Sequence, residues 1–188
     1  MQVVSYPEAE VPRELRLQQV RLQEQAWPSG HTAGAAPWHD PALQPVSVLL
    51  VDDRRVLAAL DILSKDIVHR GRSYAASGLS AVVTDQERRG KGYGGKLVKT
   101  AREMIAASGC DLGIFTCDRD LQAFYERAGW QYLPGTVLVG GTPQEPFPSD
   151  QFDKVTMGLF VSPRARAHAE EFIGSRVGLY PGNLDKLW

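Results

Sequence analysis

Val82-Val83-Thr84-Asp85-Gln86-Glu87-Arg88-Arg89-Gly90-Lys91-Gly92-Tyr93-Gly94-Gly95-Lys96 is the stretch on which the reading of this chain turns. Its first three residues are apolar or β-branched and end a strand. Its middle is a basic, glycine-rich turn. The next segment, Gly94 to Ser108, has Leu97, Val98, Ala101, Met104 and Ile105 at helical spacing and stops at Gly109. Glycines let successive backbone N–H groups point at one spot, and the helix after them adds its unpaired first-turn amides and positive dipole end. Arg88, Arg89 and Lys91 add charge. A strand, such a turn and a helix together make a cradle for a phosphate-type dianion.

Two other phosphate loops share parts of this pattern. The Walker sequence wants Ser or Thr after Gly95-Lys96, and Leu97 stands there. The dinucleotide fingerprint is met literally by Gly90, Gly92 and Gly95, but that fingerprint opens the first helix of a parallel unit. Here the preceding chain reads as an antiparallel meander: Val46 to Val51, a turn at Asp52 to Arg55, Val56 to about His69, a turn at Arg70 to Arg72, and Tyr74 to Thr84. Gly78 inside the last strand suggests a bulge or a close backbone approach.

Upstream, Pro12 to Trp27 reads as a helix with Leu15, Val20, Leu22 and Ala26 on its apolar side. Pro28 to Pro45 reads as a long loop, and Trp27, Trp38 and this loop are candidates for walling a ligand pocket. Downstream come a strand at Leu112 to Cys117, a short helix at Asp120 to Ala128, and strands at Val137 to Gly141 and Val155 to Val161. A Pro-rich, acidic segment (142–150) separates the last two. Pro163 to Ser175 reads as a helix, and Val177 to Trp188 as an irregular tail. The fold class expected is mixed α/β (α+β), with about six to seven mostly antiparallel strands flanked by helices in a single domain. Residues 1–45 form its least defined part.

The chain has 188 residues, 43% hydrophobic and 23% charged, with a formal net charge of -1, the balance of an ordinary globular domain. That charge gives no general reason to bind nucleic acid or an anionic membrane. No apolar run is long enough to span a bilayer, and Met1 to Glu10 has no signal-peptide core, so the cytoplasm is the expected location. Cys110 and Cys117 are read as two buried small hydrophobes, not as a disulfide or reactive thiols. His31, His39 and His69 are too scattered for a metal site and His168 reads as exposed, so no metal is expected.

The run Val82 to Gly94, with Arg89, Gly92 and Gly94 matching Arg/Gln-x-x-Gly-x-Gly/Ala, resembles motif A of the GCN5-related N-acetyltransferases (GNAT). Phe124-Tyr125-Glu126-Arg127-Ala128-Gly129-Trp130 resembles a second signature of that superfamily. The likeness covers roughly Val46 to Trp130. Within the superfamily the chain is most similar to aminoglycoside 2′-N-acetyltransferases, through Ile67 to Lys91, Leu112-Gly113, Tyr125 to Trp130 and a terminal segment with Asp185 and Trp188. One position departs: gap-free placement puts Ser80 where those enzymes carry a Glu.

The resemblance implies a GNAT fold and transfer of an acetyl group from acetyl-CoA to a primary amine of a small molecule, an aminoglycoside-like polyamine among the candidates and antibiotic resistance the corresponding role. It implies that Arg89, Gly90, Lys91, Gly92, Tyr93 and Gly94 hold the pyrophosphate, and that Val82, Val83 and Thr84 pair with the pantetheine arm as an added strand. Tyr125 is the implied general acid: an unperturbed phenol titrates at about 10, so it is protonated at neutral pH and able to supply a thiolate. The terminal carboxylate of Trp188 is the implied base. Ser80, Asp153, Asp185 and Trp188 are the implied acceptor-side residues, with Asp150 a lesser candidate. The expected partner is the amine, with neither nucleic acid nor membrane, and a homodimer is left open. Two alternatives stand beside this: acetylation of a peptide or protein amine, and a silent acyl-CoA-binding module, motivated by the absent Glu at position 80.

Overall fold

The computed structural model describes residues 1–28 and 38–179. In chain order the elements are β1 (Gln2–Pro7), α1 (Arg13–Ala26), β2 (Val46–Asp52), β3 (Arg55–His69), β4 (Arg72–Thr84), α2 (Tyr93–Ala107), β5 (Leu112–Asp118), α3 (Gln122–Arg127), β6 (Gln131–Tyr132), β7 (Val137–Gly141), β8 (Pro146–Pro148), β9 (Lys154–Phe160), α4 (Pro163–Ala167) and β10 (Arg176–Gly178). Seven strands hydrogen-bond in the order β1-β2-β3-β4-β5-β9-β6, and a second sheet has the order β10-β7-β8. The mixed, mostly antiparallel α/β architecture matches the sequence reading. The chain divides into two compact units, residues 1–63 with 79–101 and residues 64–78 with 102–188.

The first unit holds the antiparallel meander. Asp53 and Arg54 both have left-handed φ (45° and 63°), as a two-residue turn between right-twisted strands requires. β1 pairs with β2 from Gln2↔Val51 to Pro7↔Val46, and β2 with β3 from Val46↔Ile62 to Asp52↔Arg55, with a slip between Leu50 and Val51. The sequence reading had no strand at β1. Three of its six residues are exposed and three half-buried, and they are held by the ladder with β2 and by Val4 against the α1 cluster. Leu22 of α1 packs with Leu49, Val51, Val56, Ala59 and Val83, joined by Val4, Val11, Leu15 and Ala26. That cluster fixes one face of the meander against α1, and Leu15, Leu22 and Ala26 are the apolar side expected from spacing. Hydrophobic burial of this kind contributes about 25 cal/mol per Å².

In the second unit β5 pairs antiparallel with β9 from Leu112↔Phe160 to Asp118↔Lys154, β6 adds to β9, and β7 pairs antiparallel with β8 and parallel with β10. The tail therefore begins as a strand, because Val177 is fully buried beside Leu138 and its backbone has a ladder to join. The helix expected over Pro163 to Ser175 is broken at His168 into α4 and a 3-10 turn, Ala169–Glu171. His168 is half-buried there and pairs with Glu171 (2.9 Å). Phe115 sits edge-on to Tyr125 and Trp130 (centroids 5.0 and 4.7 Å). Gly113 makes room for that nest: a Cβ there would lie 2.8 Å from the Trp130 ring. β4 and β5 pair in parallel over Ala76↔Leu112 and Ser77↔Gly113.

Candidate functional site

The glycine turn lies in the first unit. Asp85 caps a 3-10 turn (Gln86–Arg88) through its carboxylate on the Glu87 amide (3.1 Å) and is braced by Arg55 (2.7 Å). Gly90 and Gly92 then adopt left-handed φ of 76° and 78°, and the first helical bond of α2 runs from the Lys96 amide to the Gly92 carbonyl (3.0 Å). The Tyr93, Gly94 and Gly95 amides precede the first possible i→i−4 acceptor and point out of the helix start. A Cβ placed on Gly90 or Gly92 would meet nothing within 4 Å. The turn is exposed, unobstructed and rimmed by Arg89 and Lys91, both exposed. Its shape and donor set fit a diphosphate.

On the strand ahead of the turn, Val83 is buried in the α1 cluster while Val82 and Thr84 are half-buried. The irregularity in β4 falls at Ala81, with φ 49°, and not at Gly78, which keeps a strand-like φ. The register around it follows from the hairpin. Arg70 and Gly71, both with left-handed φ, make a two-residue turn, and the Ser64 and Ser77 hydroxyls hydrogen-bond across the pair (2.9 Å). Continued three residues along each strand, that register sets Asp61 opposite Ser80. Beyond Ala81 the Asp85 amide bonds to the Leu57 carbonyl (3.0 Å), one residue out of that register, as a single bulge demands.

Around Asp61 lies a polar knot that sequence reasoning missed. Asp61 is fully buried. Its Oδ1 accepts from Gln19 Nε2 (2.9 Å) and Ser47 Oγ (2.6 Å), and its Oδ2 from Gln23 Nε2 (2.9 Å) and His39 Nε2 (3.2 Å). Gln23 Oε1, buried, has no hydrogen-bond partner among the described residues. Nearby, buried Glu8 accepts from Arg16 (2.6 Å) and from the backbone amides of Trp38 (2.7 Å) and His39 (3.3 Å). The available signal was an acid inside the apolar run Val56 to Leu63, together with two glutamines on the otherwise apolar side of α1.

Tyr125 belongs to the second unit. It is buried, and that burial, with Cys117 and Asp118 adding to it, raises its phenol well above the ordinary tyrosine range. Cys117 is buried as expected, and burial, followed by Asp118, pushes its thiol up to about 12. Cys110 is half-buried, with Sγ near the Ile105 and Leu112 carbonyls (3.4 and 3.7 Å). Asp153 is exposed and ion-paired with Arg119 (2.6 Å), and Asp150 with Arg176 (2.8 Å). Trp27 is largely exposed and Trp38 half-buried. His31, Leu184, Asp185, Leu187 and Trp188 lie outside the described residues. Among the described residues no group of three or more His, Cys, Asp or Glu side chains is placed to hold a metal, and no helix is long and apolar enough to cross a membrane.

Solved structures with a similar fold include acyltransferases. An acyl-CoA N-acyltransferase from Pseudomonas aeruginosa superposes with a TM-score of 0.57 at 16% identity, covering 84% of this chain and 97% of that one. Escherichia coli ElaA gives 0.58 at 15%, with 84% and 97% covered. An aminoglycoside 6′-N-acetyltransferase complexed with coenzyme A gives 0.57 at 14%, with 87% and 99% covered. At such identities these likenesses establish the fold. A comparison with curated protein sequences returned no match. The family model described as "Acetyltransferase (GNAT) domain" matches residues 11–133, more than half of the chain and inclusive of the glycine turn and Tyr125. The chain therefore belongs to the GNAT acetyltransferase family, whose members are N-acetyltransferases that use acetyl-CoA.

Proposed function

We propose that this enzyme moves the acetyl group of acetyl-CoA to a primary amine of a small molecule, with an aminoglycoside-like polyamine as the acceptor class to try first. The observation that carries the reading is the open turn at Gly90 and Gly92 ahead of α2. Arg89 to Gly94 would hold the pyrophosphate through main-chain amides, with the Arg89 and Lys91 charges at the rim. Val82, Val83 and Thr84 would offer main-chain groups to the pantetheine arm. Bound in that way, acetyl-CoA supplies an activated thioester. A main-chain N–H near Val82 would stabilise charge developing on the thioester oxygen, a contact whose loss typically costs about 10²–10³ in rate.

Tyr125 would donate the proton that the departing thiolate needs. Its raised pKa keeps the phenol protonated across the neutral range. On the acceptor side Ser80, Asp153, Asp185 and the terminal carboxylate of Trp188 are the proposed contacts. Asp153 would have to exchange its partner Arg119 for the amine.

Calorimetry with acetyl-CoA, followed by free-thiol release across aminoglycosides, simple polyamines and N-terminal peptides, tests the reading. Acetyl-CoA binding with thiol release on a small polyamine is the expected result. Absence of acetyl-CoA binding would overturn it. Release only on peptides would move the acceptor to that class, and binding without release on any amine would make the chain an acyl-CoA-binding module.

A further inference from the structure

Position 80 presents a chemical problem. A primary ammonium cannot attack a thioester until a base has taken a proton from it, and Ser80 is no base at neutral pH. The structure offers a carboxylate one strand away. Ser47, Asp61 and Ser80 form a row across β2, β3 and β4: Ser47 pairs with Asp61 in the ladder, and the hairpin register sets Asp61 against Ser80. Cross-strand neighbours share a face of the sheet. That face is the one packed on α1, since Leu49, Ala59 and Val83 on the same strands belong to the α1 cluster.

The knot makes little sense as a stabilising device. A buried carboxylate loses several kcal/mol of hydration, and apolar side chains of similar volume commonly do as well or better in its place. Here the cost is compounded by Gln23 Oε1, a buried acceptor without a donor among the described residues. What the knot achieves is orientation. A carboxylate accepts and does not donate, so the nitrogen of His39 that faces Asp61, Nε2, carries the proton. Nδ1 is then the basic nitrogen. The ring is fixed from both ends: Asp61 holds the side chain, and Glu8 holds the His39 backbone amide. Among the described residues, the charged and titratable groups that pair with it or with its partners are Asp61 on β3, Glu8 between β1 and α1, and Arg16 of α1, which is paired with Glu8. Unlike Asp61, His39 is not sealed off: its side chain keeps 10% of its accessible surface.

We infer that His39, positioned by Asp61, is the base for the acceptor amine, in place of the Trp188 carboxylate that the family resemblance implies. This rests on the acetyltransferase reading above. Nδ1 takes one proton from the ammonium. The freed nitrogen lone pair forms the C–N bond to the acetyl carbon while the C–S bond breaks and its electron pair leaves on sulfur. The nitrogen loses its second proton, the thiolate gains one, and one proton is released overall. Asp61 touches none of the reacting atoms and acts through the imidazole.

The test uses the full chain and two variants, His39→Gln and Asp61→Asn. The asparagine would keep its Oδ1 towards Gln19 and Ser47, turn its amide towards His39, and let Gln23 flip so that its orphan oxygen accepts. The fold survives, but the proton moves to Nδ1 and the base is lost. Both variants should bind acetyl-CoA within about 2-fold of the parent by calorimetry, and both should lose roughly 10²–10⁴ in kcat for the best amine. The parent's rise of rate with pH on the acid side should be missing in His39→Gln. A nitrogen-15 histidine spectrum of the parent at high pH should show His39 protonated at Nε2, and that of Asp61→Asn at Nδ1. Full turnover in His39→Gln, or a parent His39 protonated at Nδ1, would overturn the assignment. Loss of acetyl-CoA binding by the parent itself would instead defeat the functional reading. If no amine on the panel turns over, the spectrum alone decides.

Discussion

The glycine turn of the first unit and the aromatic nest of the second use the same residue for opposite ends. At Gly90 and Gly92 the missing side chain leaves space empty and allows left-handed backbone, so amides and charge face outward. At Gly113 and Gly158 the missing side chain is filled by a neighbour: a Cβ would come within 2.8 Å of Trp130 and 2.7 Å of Leu133. The first pair of glycines keeps a surface ready for a ligand, and the second lets two layers close. Within the closed nest Tyr125 is the one member with a titratable hydroxyl, edge-on to both Phe115 and Phe124. The difference teaches that glycine content alone does not mark a binding loop, whereas empty space around the Cβ position does.

Four substitutions break or sharpen that contrast. Tyr125→Phe keeps the ring and its packing, so the nest should stay intact while kcat falls by about 10² or more through loss of a general acid. Unchanged turnover in steady-state assays would leave Tyr125 as packing only. Next, Gly92→Glu puts bulk and negative charge into the open turn. Acetyl-CoA affinity should weaken by at least about 100-fold, or about 2.7 kcal/mol, with a stability loss of only about 1 kcal/mol from the left-handed φ. Calorimetry showing ordinary affinity would mean that the diphosphate lies elsewhere.

Gly113→Ala should do the reverse. Its Cβ collides with Trp130, and the stability loss expected from overpacking is about 1–3 kcal/mol by denaturant titration. In a Trp130→Phe background the same alanine should cost less, because the ring atoms it strikes are gone. Additive costs would show that Gly113 and Trp130 are independent. Gly90→Ala should give the smallest effect, roughly 1 kcal/mol of stability, since the site is open and only the left-handed φ opposes a side chain. A loss as large as that of Gly113→Ala would show that the turn is more crowded than its geometry implies.

The same contrast separates what was legible in the sequence from what was not. α1 and the β3–β4 hairpin were readable because each signal is local: apolar spacing on α1, and turn residues at Arg70 and Gly71. The short strands β1, β6, β8 and β10 were not, because two to six residues of weak pattern acquire a strand conformation only from the ladder they join. Gly78 suggested a bulge or a close backbone approach for its missing side chain, and the bulge sits at Ala81. There the shift of register between Ser80 and Asp85 forces left-handed φ on a residue that would not choose it.

By itself the sequence determined that a strand runs into a basic glycine turn and then a helix, the arrangement on which the expected anion cradle rests. Those features depend on φ preferences and on spacing within about fifteen residues, which adjacent side chains encode. Only the tertiary structure decided that the turn is unobstructed, that Gly113 is a slot for Trp130, and that Gln19, Gln23, His39, Ser47 and Asp61 meet in one knot. These residues come from α1, β2, β3 and the chain between α1 and β2, and nothing short of packing those elements on one face brings them within hydrogen-bond distance.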